Sequence, residues 1–372
     1  MSRRVRCGVR ASVCLMMILL TACGVAGSPG STTGGTARTS TTSSTSITST
    51  STTVTATTLP ASLTLPDVDL ADQLVWYAPN MGSIDFPELF SQPEQWSAAR
   101  ERVDVFKFYG NSVAGFPYDI GGDNVLDTFV DVDAFQRLHG WGIATALELG
   151  VVKFFECEPE PWAEYADLTI GNIESNGGRV SFIAMDQPLL GGQLVENGET
   201  CGYTIEETAE VVARFKRAVQ ANHPDVVIGT IETIPPQSAD DVREWILALE
   251  EAGAKPAFLH LDVEISLGID DPEFVAELAG LQEFSEQRGI PFGLILTADW
   301  QVADSDQAYF QSVMEWAGSI DERLGRPGHL VFQSWIGPAA SGLHEMPVNL
   351  PENDPNVSTH TRLILDGLDV FD

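Results

Sequence analysis

From Leu74 onward, a short apolar run is followed by a helical stretch eight times in succession. The runs are Leu74–Asn80, Val105–Gly110, Ile143–Gly150, Val180–Pro188, Val226–Thr233, Phe258–Ile265, Phe292–Trp300 and His329–Gly337. Nearly continuous apolar strands of this length are what a parallel sheet buried on both faces requires. The stretches between them carry helix signals. Thr204 and Glu207 form a capping box ahead of Ile205–Ala221, Ser238 opens Ala239–Ala252, and Pro272 starts Pro272–Arg288 with Gly289 beyond its end. Further helices are expected near Glu94–Arg102, Val125–His139, Trp162–Ile173, Asp306–Leu324 and Thr359–Leu368. Eight strand–helix units in strict order, with no strand left over, predict an α/β fold: a single (β/α)8 TIM barrel spanning 67–372. A doubly wound open sheet is the second choice.

Several runs end in a carboxylate, which a doubly buried strand has no packing reason to carry. Glu148, Asp186, Glu232, Asp262, Glu264 and Asp299 all fall at or near C-terminal strand ends, the face on which barrels of this kind build their sites. Alternation assigns the faces. His260, Asp262 and Glu264 share one parity, Leu259, Leu261, Val263 and Ile265 the other, so the polar set is expected to face the barrel axis. By the same reasoning Thr230 with Glu232, Thr297 with Asp299, and Ala184 with Asp186 point inward. Like charges crowded in a cleft raise one another's pKa and can keep one acid protonated near neutral pH. The competing expectation is that several acids are neutralised by Lys107, Lys153 or loop arginines.

Aromatic and amide side chains fall at the same strand ends: Trp76, Tyr77 and Asn80 in the first run, Lys107 and Tyr109 in the second, Gln187 after the fourth, Trp300 after the seventh, and Gln333 and Trp335 in the eighth. Indole faces beside carboxylates suit sugar rings, which present C–H faces and hydroxyls. Trp96, Trp162, Trp245 and Trp316 lie in helical stretches and read as packing.

The N-terminal residues are of another kind. Arg3, Arg4, Arg6 and Arg10 precede an apolar stretch, Ala11–Leu20, too short to span a bilayer. Leu20-Thr21-Ala22-Cys23 follows and resembles a bacterial lipobox. That resemblance implies a signal peptide over 1–22, a lipid on Cys23, and attachment to the extracytoplasmic face of a bacterial cell membrane. Residues 23–66 are dominated by Ser, Thr, Gly and Ala and predict a disordered linker with a reach of roughly 30–36 Å. With 20 basic against 53 acidic residues and a net charge of −33, a nucleic-acid partner is excluded. Cys7 and Cys14 would leave with the signal. Cys157 and Cys201 remain and predict one disulfide joining neighbouring loops in an oxidising compartment. Two thiols are too few for a zinc site, and no cofactor motif is present.

With acids ending strands four to seven and Phe332-Gln333-Ser334-Trp335 in strand eight, the domain resembles the glycoside-hydrolase TIM barrels that carry an acid/base on strand four and a nucleophile on strand seven. Where that clan has Asn-Glu-Pro at the end of strand four, this chain has Asp186-Gln187-Pro188, and Gln187 cannot act as the acid. The resemblance implies a carbohydrate ligand. Within it, Glu232 is the expected acid and Asp299 the expected nucleophile or base, with Glu148, Asp186, Asp262 and Glu264 orienting substrate or tuning pKa. Two other functions compete: a carbohydrate-binding lipoprotein without turnover, and a divalent-metal enzyme using His260, Asp262 and Glu264 with Glu148, Asp186 and Glu232 opposite.

Overall fold

The computed structural model describes residues 65–115, 125–153, 156–193, 195–196, 199–264, 271–299, 305–334 and 348–372. Eight parallel strands close into a barrel: β1 Leu74–Ala78, β2 Val105–Tyr109, β3 Ala144–Gly150, β4 Val180–Asp186, β5 Val227–Ile234, β6 Leu259–Val263, β7 Phe292–Leu296 and β8 His329–Gln333. Each pairs with its neighbours in sequence, and β8 pairs back onto β1 from Leu74 opposite His329 to Ala78 opposite Gln333. This closure removes the open-sheet alternative. A two-residue hairpin, Val195–Glu196 with Glu199–Thr200, lies outside the barrel in the β4-to-helix segment.

The helices are α1 Glu88–Ser91, α2 Ser97–Arg102, α3 Gly110–Ala114, α4 Val125–Asp131, α5 Ala134–Trp141, α6 Pro159–Ser175, α7 Pro188–Gln193, α8 Ile205–Asn222, α9 Ala239–Glu251, α10 Pro272–Gln287, α11 Asp306–Arg323 and α12 His360–Phe371. The capping signals of the sequence are realised. Glu207 N–H donates to Thr204 Oγ1 at 3.2 Å while Thr204 N–H donates to Glu207 Oε2 at 2.9 Å, and Ser238 with Asp241 repeats the device at α9. The single helix expected near Val125–His139 is two, because Asp133 adopts φ 54° and breaks the run between α4 and α5. Among the described residues no helix is long and apolar enough to cross a membrane.

Two apolar layers result from strand alternation. Val75, Phe106, Leu147, Ile183, Leu259, Leu294 and Phe332 face the helices in the larger core, and Leu74, Trp76, Phe182, Ile231, Phe258, Ile295 and Val331 fill the barrel itself. Trp76 is the centrepiece of that filling, with ring centroids 5.3 Å from Phe182, 5.1 Å from Phe258 and 4.7 Å from His260. Space for it comes from small inward residues. A Cβ on Gly229 would lie 2.4 Å from the Phe258 ring, and one on Gly293 would lie 2.7 Å from His329 Cβ. Val68 and Leu70 cap this filling from the N-terminal end, and His329 Nε2 donates to the Leu70 carbonyl at 2.9 Å.

On the opposite side of the barrel, Cys157 and Cys201 form the disulfide expected from the sequence, tying the segment after β3 to the segment after β4.

Candidate functional site at the barrel mouth

At the C-terminal ends of the strands the apolar filling gives way to polar groups. Lys107 on β2 is fully buried and donates to Glu148 Oε2 on β3 and to Gln333 Oε1 on β8, the latter at 2.6 Å. Gln333 Nε2 closes the triangle by donating to Glu148 Oε2 at 3.1 Å. Burial pushes the Glu148 carboxyl up from its ordinary range, against the pull of Lys107. One lysine, one glutamate and one amide therefore lock three strands together at the floor of the mouth.

A second pair stands at its wall. Lys153 Nζ lies 3.0 Å from Asp186 Oδ2, both partly exposed. The loop carrying Lys153 is held tightly. Val152 adopts φ 56°, a strained value for a β-branched residue, and its carbonyl crosses so close to α7 that a Cβ on Gly191 would meet it at 1.8 Å. Gln187, next to Asp186, also adopts a left-handed φ of 51°. Nothing in the sequence pattern marked Val152 as strained.

Asp262 on β6 is partly buried and faces the same mouth. Burial raises its pKa to about 7, with Asp186, Glu148 and Glu264 adding to the rise. A carboxyl in this position carries its proton close to neutral pH. Glu264 follows β6 at the same parity, its N–H donating to the Ile234 carbonyl at 2.9 Å. Asp299 lies just beyond β7, and its backbone N–H donates to Ser312 Oγ at 2.9 Å.

The structure relocates several residues that the sequence reading put at the mouth. Glu232 is not inward. On β5 it is Ile231 that fills the barrel, while Ile228 and Ile234 pack in the outer core, and Glu232 shares their parity. Its carboxyl is fully buried beside α9. Thr230 Oγ1 donates to Oε1 at 2.6 Å, Oε2 has no hydrogen-bond partner, and the Trp245 indole lies near without forming a bond of standard geometry. The polar alternation was misleading here because Thr230 and Glu232 satisfy each other in the outer layer.

Trp76 is buried in the barrel filling and offers no open face. Tyr77 has the opposite parity and packs against Trp96, Phe106 and His360, its hydroxyl donating to Asn349 Oδ1 at 2.8 Å. His260 lies below the mouth, hydrogen-bonded through Nε2 to His329 Nδ1 at 2.9 Å. Since His329 Nε2 faces a carbonyl and must donate, its Nδ1 accepts and His260 Nε2 is the donor. Burial holds both imidazoles neutral, His329 down at about 4. His260 is thereby withdrawn from the set proposed to hold a metal. Among the described residues no group of three or more His, Cys, Asp or Glu side chains is placed to bind a metal ion.

Asn80 is nearly buried in the turn after β1, its Oδ1 accepting from Gly82 N–H, and Tyr109 donates from its hydroxyl to the Ser334 carbonyl at 2.7 Å. Trp300, Trp335 and the lipobox Cys23 lie outside the described residues.

The misplaced Glu232 has a measurable signature. Burial raises its pKa from 4.5 to about 8. The folded state therefore keeps a proton that the unfolded chain loses above pH 4.5, so stability falls as pH rises from 4.5 to 8, by roughly 4–5 kcal/mol for this group. Glu232→Gln is expected to remove about half of the combined decline in urea titrations, because Asp262, raised from 3.8 to about 7, contributes a comparable fall of its own. An unchanged slope would place the Glu232 carboxyl in water.

No protein family model matches this chain, and no curated protein sequence does. Solved structures match it in fold. An endo-β-1,4-mannanase double mutant from Cellulomonas fimi is 12% identical over 81% of this chain and 72% of its own, with a TM-score of 0.51. Xylanase 10B from Thermotoga maritima is 13% identical over 81% and 95%, TM-score 0.49, and an aldo/keto reductase from Brucella melitensis is 11% identical over 81% and 89%, TM-score 0.41. These proteins carry different activities on one architecture. Together with the closed strand order, the likeness to the mannanase defines this domain as a single (β/α)8 barrel.

Proposed function

We propose that the barrel mouth binds and hydrolyses a carbohydrate, with Asp262 as general acid and Asp186 as its ionised partner. The observation that carries this reading is the division of labour among the mouth carboxyls. Asp186 is paired with Lys153, Glu148 is consumed by Lys107 and Gln333, and Asp262, raised to about 7, is left as the acid that can give up a proton. Hydrolysis of a glycosidic bond needs one protonated and one ionised carboxyl. The resemblance noted at strand eight and the glycosidase barrels among the structural likenesses support the substrate class. The test is release of reducing ends from a panel of neutral, amino and acidic polysaccharides. No release from any of them, with binding retained, would favour the second reading, a carbohydrate-binding barrel without turnover. That reading draws on Glu148 being locked in an ion pair and on Gln187 standing where the related clan has its acid.

We also propose that the protein is a lipoprotein held on the extracytoplasmic face of the membrane through Cys23. The lipobox-like Leu20-Thr21-Ala22-Cys23 after the Ala11–Leu20 stretch supports this. The Cys23→Ala chain is expected to move from the membrane pellet to the soluble fraction on cell fractionation. If it stays with the membrane, the anchor lies elsewhere.

A further inference from the structure

The Cys157–Cys201 disulfide lies against the backbone of Lys153. Glu156 N–H donates to the Lys153 carbonyl at 2.8 Å, and the two residues pair as an isolated antiparallel bridge, which brings Cys157 back beside Lys153. Across the bond, Cys201 Sγ lies 3.8 Å from the same carbonyl oxygen. The other side of this backbone is held by α7. Val152, at φ 56°, presses its carbonyl against Gly191. Tyr203 N–H donates to the Gly192 carbonyl at 3.0 Å, which fastens the Cys201 segment to the same helix. Because α7 begins at Pro188, two residues past Asp186, the anchor of Lys153 and the anchor of Asp186 are one body. From that anchor Lys153 Nζ reaches Asp186 Oδ2 at 3.0 Å. A partly exposed ion pair made by a flexible lysine stem is weak when it must hold its own geometry. A left-handed backbone at a β-branched residue persists only where the surroundings over-determine it. The covalent bond supplies that constraint.

Resting on the reading of Asp186 as the ionised partner, we propose that the disulfide is a positioning element of the site. It fixes the Lys153 backbone beside the end of β4 and so keeps the ammonium on the Asp186 carboxylate. Lys153 is a positioning residue, acting through Asp186. Once the bond is broken, Val152 relaxes from its left-handed conformation, Lys153 moves with it, and Asp186 loses its cation. Both cysteines are partly exposed, so a reductant can reach them. Reduction by a dithiol breaks the Sγ–Sγ bond: two electrons and two protons pass from the reagent to the two sulfurs, and the reagent closes to its own disulfide. The site is therefore complete only in an oxidising compartment.

The test treats the full chain with dithiothreitol and reads the lysines by competitive acetylation, quantified by peptide mass spectrometry. The chain has four lysines, Lys107, Lys153, Lys216 and Lys255, so each reports separately. After reduction Lys153 is expected to acetylate severalfold faster, while exposed Lys255 keeps its rate and fully buried Lys107 stays protected. Hydrolysis of the polysaccharide cleaved fastest in the panel above is expected to fall by about ten- to a hundredfold, the cost of displacing a catalytic group by about an ångström. Lys153→Met should show the reduced protein's rate with or without reductant, which a disulfide acting only on overall stability would not produce. Unchanged acetylation of Lys153 would overturn the proposal. So would acetylation of Lys107 in step with Lys153, since that reports unfolding of the barrel rather than release of one loop. Release of Lys153 with turnover unchanged would overturn the positioning role. Release of Lys153 with no polysaccharide of the panel hydrolysed in either state would uphold the hold on Lys153 and overturn the hydrolase reading.

Discussion

Asp262→Asn is expected to lower kcat by about a hundredfold to ten-thousandfold, the range a positioned general acid contributes, while leaving glycan affinity nearly intact. Asparagine keeps the shape and one hydrogen-bonding oxygen but has no proton to transfer. The pH profile carries the more specific signal. An acid with a pKa near 7 is protonated below that value and spent above it, so activity of the parent protein should fall on the alkaline side of pH 7. In the variant that limb should vanish along with most of the rate. Asp186→Asn should also abolish turnover, through loss of the ionised partner and of the Lys153 contact. Full activity in Asp262→Asn would remove β6 from the chemistry and return attention to Asp299, which follows the neighbouring strand β7.

Lys107→Met is expected to destabilise the fold by about 3–5 kcal/mol, the cost of leaving one member of a buried ion pair alone. Lys107 has no exposed surface, and the two groups it holds sit on strands to either side of the barrel's closure. Without it, Glu148 must either stay charged in the interior or take up a proton. The double variant Lys107→Met, Glu148→Gln should recover much of the loss, because it removes both charges and leaves an amide facing Gln333. Chemical denaturation of the two variants reads this directly. A loss under about 1 kcal/mol for the single change would mean that water reaches the floor of the mouth and solvates Glu148.

How much of this could be read from the sequence depended on the contrast within each strand. On β6 the polar and apolar residues alternate cleanly, and His260 and Asp262 lie on the inward face as expected. On β5 the run from Val227 to Ile234 is apolar on both faces, so Thr230 and Glu232 were the cue, and they pointed the wrong way. Packing decides that strand: Gly229 must face inward to admit Phe258, and that sends Glu232 outward. Trp76 illustrates a second limit. A tryptophan on an inward parity can stand at the mouth or fill the barrel, and its height along the axis depends on strand register, which closure sets. The pairing of Lys107 and Lys153 with acids was foreseen as a class. Their particular partners were not, since those come from strands or loops joined only by the fold.

The floor of Trp76, Phe182, Phe258 and the paired histidines closes the barrel to traffic along its axis, and the chain enters the domain at that closed end, where Leu70 meets His329. Ligand and product must therefore use the same end of the barrel, the one where the strands' C-terminal ends lie.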